Sequence, residues 1–311
     1  MHLMIPYASA VDEACAHTLG DLRLPNLAAA LGLLKAAGAP LGEDEYSLNT
    51  PFELALAAQR GHSGGAAGPL PTAAWLAREQ GLDATLPWAL LTPIHLSVGS
   101  DQVSALAPEA LRLDAAESRA FFDSLAELWP AGEGWQAHWL APTQWLLGHA
   151  RFAALPCASL DRVVGRNVEA WKPEARALRT LQNEFQMLLH RNPLNEAREA
   201  RGELALNSVW ISGCGLASGG ALPAELRIEA GLREPLLAGD WAAWAEAWRA
   251  LDAGPVADLL TRLRAGDAAE LTLCGERFAQ AYRLPARGAL LRAWQGLAPP
   301  RADTAKTLGA L

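Results

Sequence analysis

Residues 174–215 read EARALRTLQNEFQMLLHRNPLNEAREARGELALNSVWISGCG, and three kinds of pattern follow one another in them. Ala177, Leu178, Leu181, Phe185, Leu188 and Leu189 recur at helical spacing, which predicts one long amphipathic helix over Glu174–Leu189. Pro193 favours a turn or a helix start after His190, with Asn195, Arg198 and Arg201 following at helical spacing. Val209 and Ile211 then flank Trp210 in a β-rich run that ends at Gly213-Cys214-Gly215, a strand running into a turn. Two helices delivered onto a strand predict an α+β fold, with helices packed on a mixed β-sheet.

The neighbouring sequence extends this pattern. His2-Leu3-Met4-Ile5 is a short apolar strand feeding a helix that runs from Ser9–Asp12 to about Leu19. A second helical pattern covers Leu24–Ala37, and a third runs from Thr50-Pro51 to Gly61. Gly61–Pro69 has the small residues of a phosphate-binding loop but not its G-K-[ST] ending, so it reads as a linker. Ile94, Leu96 and Val98 alternate with polar residues before a Gly99-Ser100-Asp101 turn, which predicts a hairpin. Asp114 caps a helix to Leu128, with Glu117 placed for a capping box, and Trp135–Leu140 alternates as a strand. Trp241, Trp244 and Trp248 share one helix face, where core packing outweighs sugar or base stacking. Leu271–Cys274 is a late buried strand, and the last dozen residues are a tail expected to fray. We divide the chain into an N-terminal α+β region, 1–150, and a C-terminal α+β region, 151–311, which can form one continuous domain.

Bulk properties bound the function. The 311 residues are 51% hydrophobic and 19% charged, enough for a sizeable core. A net charge of -8 and a pI near 5.4 argue against nucleic acid as a partner. No apolar window reaches the ~18 residues of a membrane span, and MHLMIPYASAVDEACAH lacks the basic start of a signal peptide. A cytoplasmic protein with no membrane partner is expected. Cys15, Cys157, Cys214 and Cys274 are widely spaced and read as buried reduced thiols.

Chemistry concentrates between Gln182 and Gly215. Asn195 and Arg198 lie at i, i+3, and Arg198 and Arg201 can present two guanidiniums to one anion, whose oxygens fit their planar forks of donors. Ligand binding is therefore one assignment for them; surface pairing with Glu196, Glu199 and Glu203, or tethering of a loop, are the others. Asn195 and Asn207 also suit the capping of turns, and His190 suits the capping of carbonyls at a helix C-terminus. Asn183, Glu184 and Trp210 complete the candidate set, with Arg166 reaching the same pocket from the charged loop Asp161–Asn167. His95, Ser97 and Asp101 suggest a Ser/His/Asp set, but without a nucleophile elbow a polar strand face is the better assignment.

The string His190-x-x-Pro193-x-Asn195-x-x-Arg198-x-x-x-Gly202, followed by Asn207 and Gly213-x-Gly215, resembles the H-P-V-N-x-x-R-x-x-x-G-x-x-x-x-N…G-x-G run of archaeal-type, cofactor-independent phosphoglycerate mutases, with two extra residues, Arg191 and Asn192, after His190. Asp161 and Gly165 fall near the family's D-P-H-x-x-G turn, with Arg162 and Val163 at its Pro and His positions and one residue fewer before the glycine. The likeness spans Leu160 to Gly215, and the chain as a whole resembles proteobacterial proteins described as phosphoglycerate mutase-like, through Leu206-Asn207-Ser208-Val209-Trp210-Ile211-Ser212-Gly213-Cys214-Gly215. It implies the alkaline phosphatase superfamily, in which two divalent metals activate a serine. Here Ile5-Pro6-Tyr7 stands where Asp-Gly is required, no histidine follows Gly215, and Asp240, Asp252, Asp258, Asp267 and Asp303 lack ligand spacing. The metal core is therefore expected to be absent or degenerate, with no cofactor identified. What remains is the substrate side, implying a protein that binds a small anionic metabolite, phosphorylated ones included. The alternatives are an active phosphomutase or phosphatase using Mn, Mg or Zn, and a structural or partner-binding protein with no small-molecule ligand.

Overall fold

The computed structural model describes residues 1–62, 68–153, 155–285 and 301–311. In chain order its strands are β1 (His2–Ile5), β2 (Lys35–Gly42), β3 (Trp88–Ile94), β4 (Leu96–Val98), β5 (Val103–Ala105), β6 (Gln136–Ala141), β7 (Gln144–Gly148), β8 (Ser208–Gly215), β9 (Leu226–Ile228), β10 (Glu270–Cys274) and β11 (Phe278–Arg283). The helices are α1 (Glu13–Asp21), α2 (Pro25–Leu33), α3 (Pro51–Gln59), α4 (Thr72–Glu79), α5 (Ala115–Ser124), α6 (Leu160–Val163), α7 (Arg176–His190), α8 (Pro193–Ala200), α9 (Arg233–Leu237), α10 (Trp241–Leu251), α11 (Ala257–Ala265) and α12 (Thr304–Gly309). The fold is α+β with a mixed sheet, as the patterning predicts. Contacts group the chain into two units. One comprises Met1–Glu45, Thr50–Gly61 and Gly220–Leu311; the other comprises Tyr46–Asn49 and His62–Gly219.

The first unit is built on a sheet of order β2-β11-β10-β1-β9. β1 runs parallel to β10 and β9, while β11 is antiparallel to β10 and β2. The period-2 alternation of strands explains its two cores. Leu3, Ile5, Leu271 and Leu273 meet α1, α2, α10 and α11 on one face, and Met4 and Cys274 meet Ala55 of α3 on the other. Burial of such aliphatic side chains contributes about 1.5–3 kcal/mol apiece. Trp244 and Trp248 are fully buried, as expected of core tryptophans, and their indoles donate to the carbonyls of Tyr7 (3.1 Å) and Ala8 (3.3 Å). Thr50 and Glu53 form a reciprocal capping box at α3.

Two expectations fail in this unit. The predicted helix over Leu24–Ala37 stops at Leu33, and Lys35–Gly42 is an edge strand paired with β11. The C-terminal tail is tied down: Leu308 and Leu311 are buried, and the Leu311 carbonyl accepts from the amides of Arg277 (2.9 Å) and Phe278 (2.5 Å).

The second unit holds an antiparallel sheet of order β6-β7-β3-β8 and the small hairpin β4-β5 predicted at Gly99–Asp101. Ala89, Leu91, Trp145, Leu147, Val209 and Ile211 turn towards the core shared with α5 and α7, while Trp88 and Leu146 face Ala73, Ala74 and Ala77 of α4. α4 lies so close to β8 that a Cβ on Gly213 (φ 65°) would stand 2.2 Å from Thr72 Oγ1 and 2.7 Å from the Ala73 amide nitrogen. The Gly213-x-Gly215 element is thus a close packing of helix on strand. The middle of the predicted Gly61–Pro69 loop, 63–67, lies outside the described residues.

Candidate functional site

α7 and α8 fall on the helical pattern and the Pro193 start read from the sequence and are joined at Asn192, whose side chain caps α8 by accepting from the Leu194 amide (3.0 Å) and donates to Ser124 Oγ (2.7 Å). Asn195 is buried and fully used: its Nδ2 donates to the carbonyls of Leu189 and Leu206 (both 2.9 Å), and its Oδ1 accepts from the Leu206 amide (2.8 Å). Asn207 behaves as an extra rung for Leu96, accepting from its amide (2.7 Å) and donating to its carbonyl (2.9 Å). Both amides close loops onto neighbouring backbone.

Two guanidiniums do face one anion, and that anion is the carboxylate of Glu117. Arg198 has no solvent exposure; its Nη1 pairs with Glu117, its Nε donates to the Leu204 carbonyl (2.7 Å) and its Nη2 to that of Leu111 (2.5 Å). Arg201 Nη2 donates 2.6 Å to the other Glu117 oxygen and 2.6 Å to Glu203. Hydrogen bonds to Glu203 and then Glu117 push the Arg201 pKa up, and the bond from Arg201 holds Glu203 below the usual carboxylate range. Of the three glutamates read as partners, Glu203 is used; Glu117, eighty-one positions before Arg198, is the larger anchor.

The other candidates separate. Trp210 is buried, with its indole donating to the Ala158 carbonyl (2.9 Å). His190 is the exposed last residue of α7, Asn183 is exposed on the same helix, and Arg166 is half-buried after α6. In place of Arg166, the loop's buried cation is Arg162, which donates to the Asn49 carbonyl at 2.8 and 3.2 Å. His95 Nδ1 contacts the Ala205 carbonyl at 2.8 Å, a structural bond on a strand end. Of the named set, Glu184 lines a cavity.

That cavity, about 370 Å³, lies beside the N-terminal half of α7, from Arg176 to Glu184. Its apolar wall is Leu128, Trp135, Phe152, Leu155, Leu178 and Leu181. Arg151, Arg176 and Glu184 supply its charges. The Trp135 ring stacks on His149 (centroids 4.0 Å, 28° between planes), and the Arg151 guanidinium lies 5.5 Å from its centroid. His149 Nδ1 accepts the Arg151 amide at 3.0 Å, which assigns the proton to Nε2, facing the Glu133 carbonyl at 3.3 Å. Among the described residues neither the Arg151 nor the Arg176 guanidinium has an ion-pair or hydrogen-bond partner. A sequence signal for this site existed in Arg176, a cation in the first turn of α7, where the helix dipole disfavours positive charge.

The residues at the end of β1 do not fit a metal pair. Ile5 and Ala8 sit in the hydrophobic core, and the Tyr7 and Ala8 carbonyls are taken by the two indoles. Among the described residues no group of three or more His, Cys, Asp or Glu side chains is placed to hold a metal ion. All four cysteines are free and buried. The described residues contain no helix long and apolar enough to cross a membrane.

Fold and cavity together define an α+β protein with a guanidinium-rimmed, apolar-walled pocket in its second unit. No family profile matches the chain, and neither does any curated protein. Among solved structures it is similar to a cofactor-independent phosphoglycerate mutase from Thermoplasma acidophilum, with 11% identity over 98% of this chain and 94% of that one and a TM-score of 0.36. It is also similar to the PH0037 protein from Pyrococcus horikoshii, with 11% identity over 98% and 92% of the two chains and a TM-score of 0.49. No residue role is carried over from either.

Proposed function

We propose that this chain is a phosphoglycerate mutase-like protein that binds a small anionic metabolite without turning it over through a metal-activated serine. The observation that carries the binding is the cavity beside α7, where Arg151 and Arg176 stand without an anionic partner among the described residues. Its volume of about 370 Å³ falls within the ~300–1,000 Å³ range of small-ligand pockets. The reading against metal-assisted turnover is supported by the end of β1, where Ile5 lies in the core and the Tyr7 and Ala8 carbonyls accept from the indoles of Trp244 and Trp248. In the segment Leu160–Gly215 the side chains of Asn195, Arg198, Arg201 and Asn207 are engaged with Glu117, Glu203 and neighbouring backbone, which supports assigning the binding to the cavity beside α7 instead.

A thermal-shift panel of carboxylated and phosphorylated metabolites, with and without Mn²⁺, tests this. A ligand at a hundred times its Kd adds about 2.7 kcal/mol, or roughly 5–10 °C for a unit of this size. The shift is expected without Mn²⁺ and is expected to vanish in Arg151→Ala/Arg176→Ala. Silence across the panel would refute the binding, and Mn²⁺-dependent release of phosphate from a generic ester would establish the enzyme instead.

A further inference from the structure

We infer that the ligand of this cavity is an amphipathic monoanion: an apolar acyl or aromatic body carrying a single carboxylate, in preference to a phosphorylated polyol. The inference rests on the binding reading above and deepens it from the wall of the same site. Six of the lining side chains are apolar and large, and Leu178, Phe152 and Leu181 are themselves buried. A polyol placed against them would give up its water without gaining hydrogen bonds, whereas an apolar body gains by leaving water.

Charge sets the head group. Two guanidiniums and the half-buried Glu184 carboxylate leave a net charge of one positive unit around the cavity. A carboxylate matches that sum, while a phosphate monoester brings close to two negative charges towards Glu184. Arg151 is held over the Trp135 ring, so one guanidinium is oriented before the ligand arrives, and Thr180 adds a hydroxyl on the helix side.

The test is a set of titrations with octanoate, indole-3-acetate, 3-phosphoglycerate and inorganic phosphate on the full chain, followed by heat of binding and by thermal shift. Octanoate or indole-3-acetate is expected to bind at least tenfold more tightly than 3-phosphoglycerate. Ala177→Phe, at an exposed position on the cavity wall, is expected to abolish that binding by filling the space while the unliganded melting temperature stays within a few degrees. Glu184→Gln is expected to improve binding of the phosphorylated probe roughly two- to fivefold, the effect of one half-exposed charge. Binding of 3-phosphoglycerate or phosphate alone would overturn this inference and leave the anion-binding reading standing. Binding by no probe would overturn both. Binding of octanoate that survives both Ala177→Phe and Arg151→Ala/Arg176→Ala would place the ligand elsewhere and overturn the inference.

Discussion

Replacing Arg198 with alanine should unfold the second unit more readily without touching ligand binding, and the size of the loss follows from what the side chain holds. Arg198 has no exposure and serves three acceptors: Glu117, the Leu204 carbonyl and the Leu111 carbonyl. Leu204 is 37% exposed, so water can replace its bond, but Leu111 is 1% exposed and its carbonyl would be left unpaired. An unsatisfied buried acceptor costs about 1–3 kcal/mol. Glu117, with its side chain 18% exposed, keeps Arg201, so its share falls below the full ~3–5 kcal/mol of an orphaned buried charge. With the lost packing of the stem, we expect about 3–4 kcal/mol, or roughly 6–16 °C in melting temperature for a unit of this size. Urea unfolding followed by tryptophan fluorescence measures it, and a double-mutant cycle with Glu117→Gln should give a coupling above about 1 kcal/mol. Arg198→Lys should recover less than half, because one ammonium cannot span three separated acceptors. A variant within about 1 kcal/mol of the parent that has lost ligand binding would refute the fastener assignment and restore Arg198 as a binding residue.

Further outcomes follow from the same contacts. Gly213→Ala should cost several kcal/mol in the same urea experiment, since its Cβ would stand 2.2 Å from Thr72 Oγ1 at a φ of 65°; a neutral effect would mean that α4 does not rest on β8. Asp252 caps α2 from across the first unit, accepting from the amides of Leu27 (2.7 Å) and Asn26 (3.2 Å), so Asp252→Ala should lower stability by about 1–2 kcal/mol. Burial raises the Asp252 pKa above its ordinary 3.8 despite those bonds, so the folded state holds this proton more tightly than the unfolded one. Its contribution is therefore full below pH 3.8 and declines as pH rises through the folded value, and the parent's advantage over Asp252→Ala should shrink over that rise; an advantage that grows would contradict the assignment. The four thiols are buried, and burial lifts those of Cys15 and Cys274 while contact with Cys157, then burial, lifts that of Cys214, so Ellman's reagent at pH 8 should react slowly with the native chain and rapidly with all four in urea.

What the sequence made visible was whatever local periodicity and capping control. α7 announces itself through Leu178, Leu181, Phe185 and Leu189, all buried on one face, and Thr50 and Asp114 mark their helices by the caps they make. β2 was hidden because Lys35–Gly42 is an exposed edge whose Ala, Gly and Pro residues do not alternate; only pairing with β11 makes it a strand. The tail was hidden for a similar reason, since its order depends on Leu308 and Leu311 reaching a core built from other segments. In the candidate site the pairing of two arginines with one anion was legible, but not that Glu117 supplies the anion, because local interleaving with Glu196, Glu199 and Glu203 says nothing about a residue eighty positions away. The cavity draws on Leu128, Trp135, Arg151, Phe152 and Leu155 as well as on α7, so only Glu184 could be named from the polar segment alone.

The arginines themselves report most directly on the central claim, that the anion binds beside Arg151 and Arg176 while Arg198 and Arg201 hold the fold. The Nε–Hε resonances of the four guanidiniums can be followed by NMR as octanoate is added, with single Arg→Lys variants fixing the assignments. Saturable shifts of Arg151 and Arg176, with Arg198 and Arg201 unmoved, are the predicted result. Shifts of Arg198 and Arg201 with Arg151 and Arg176 silent would contradict it.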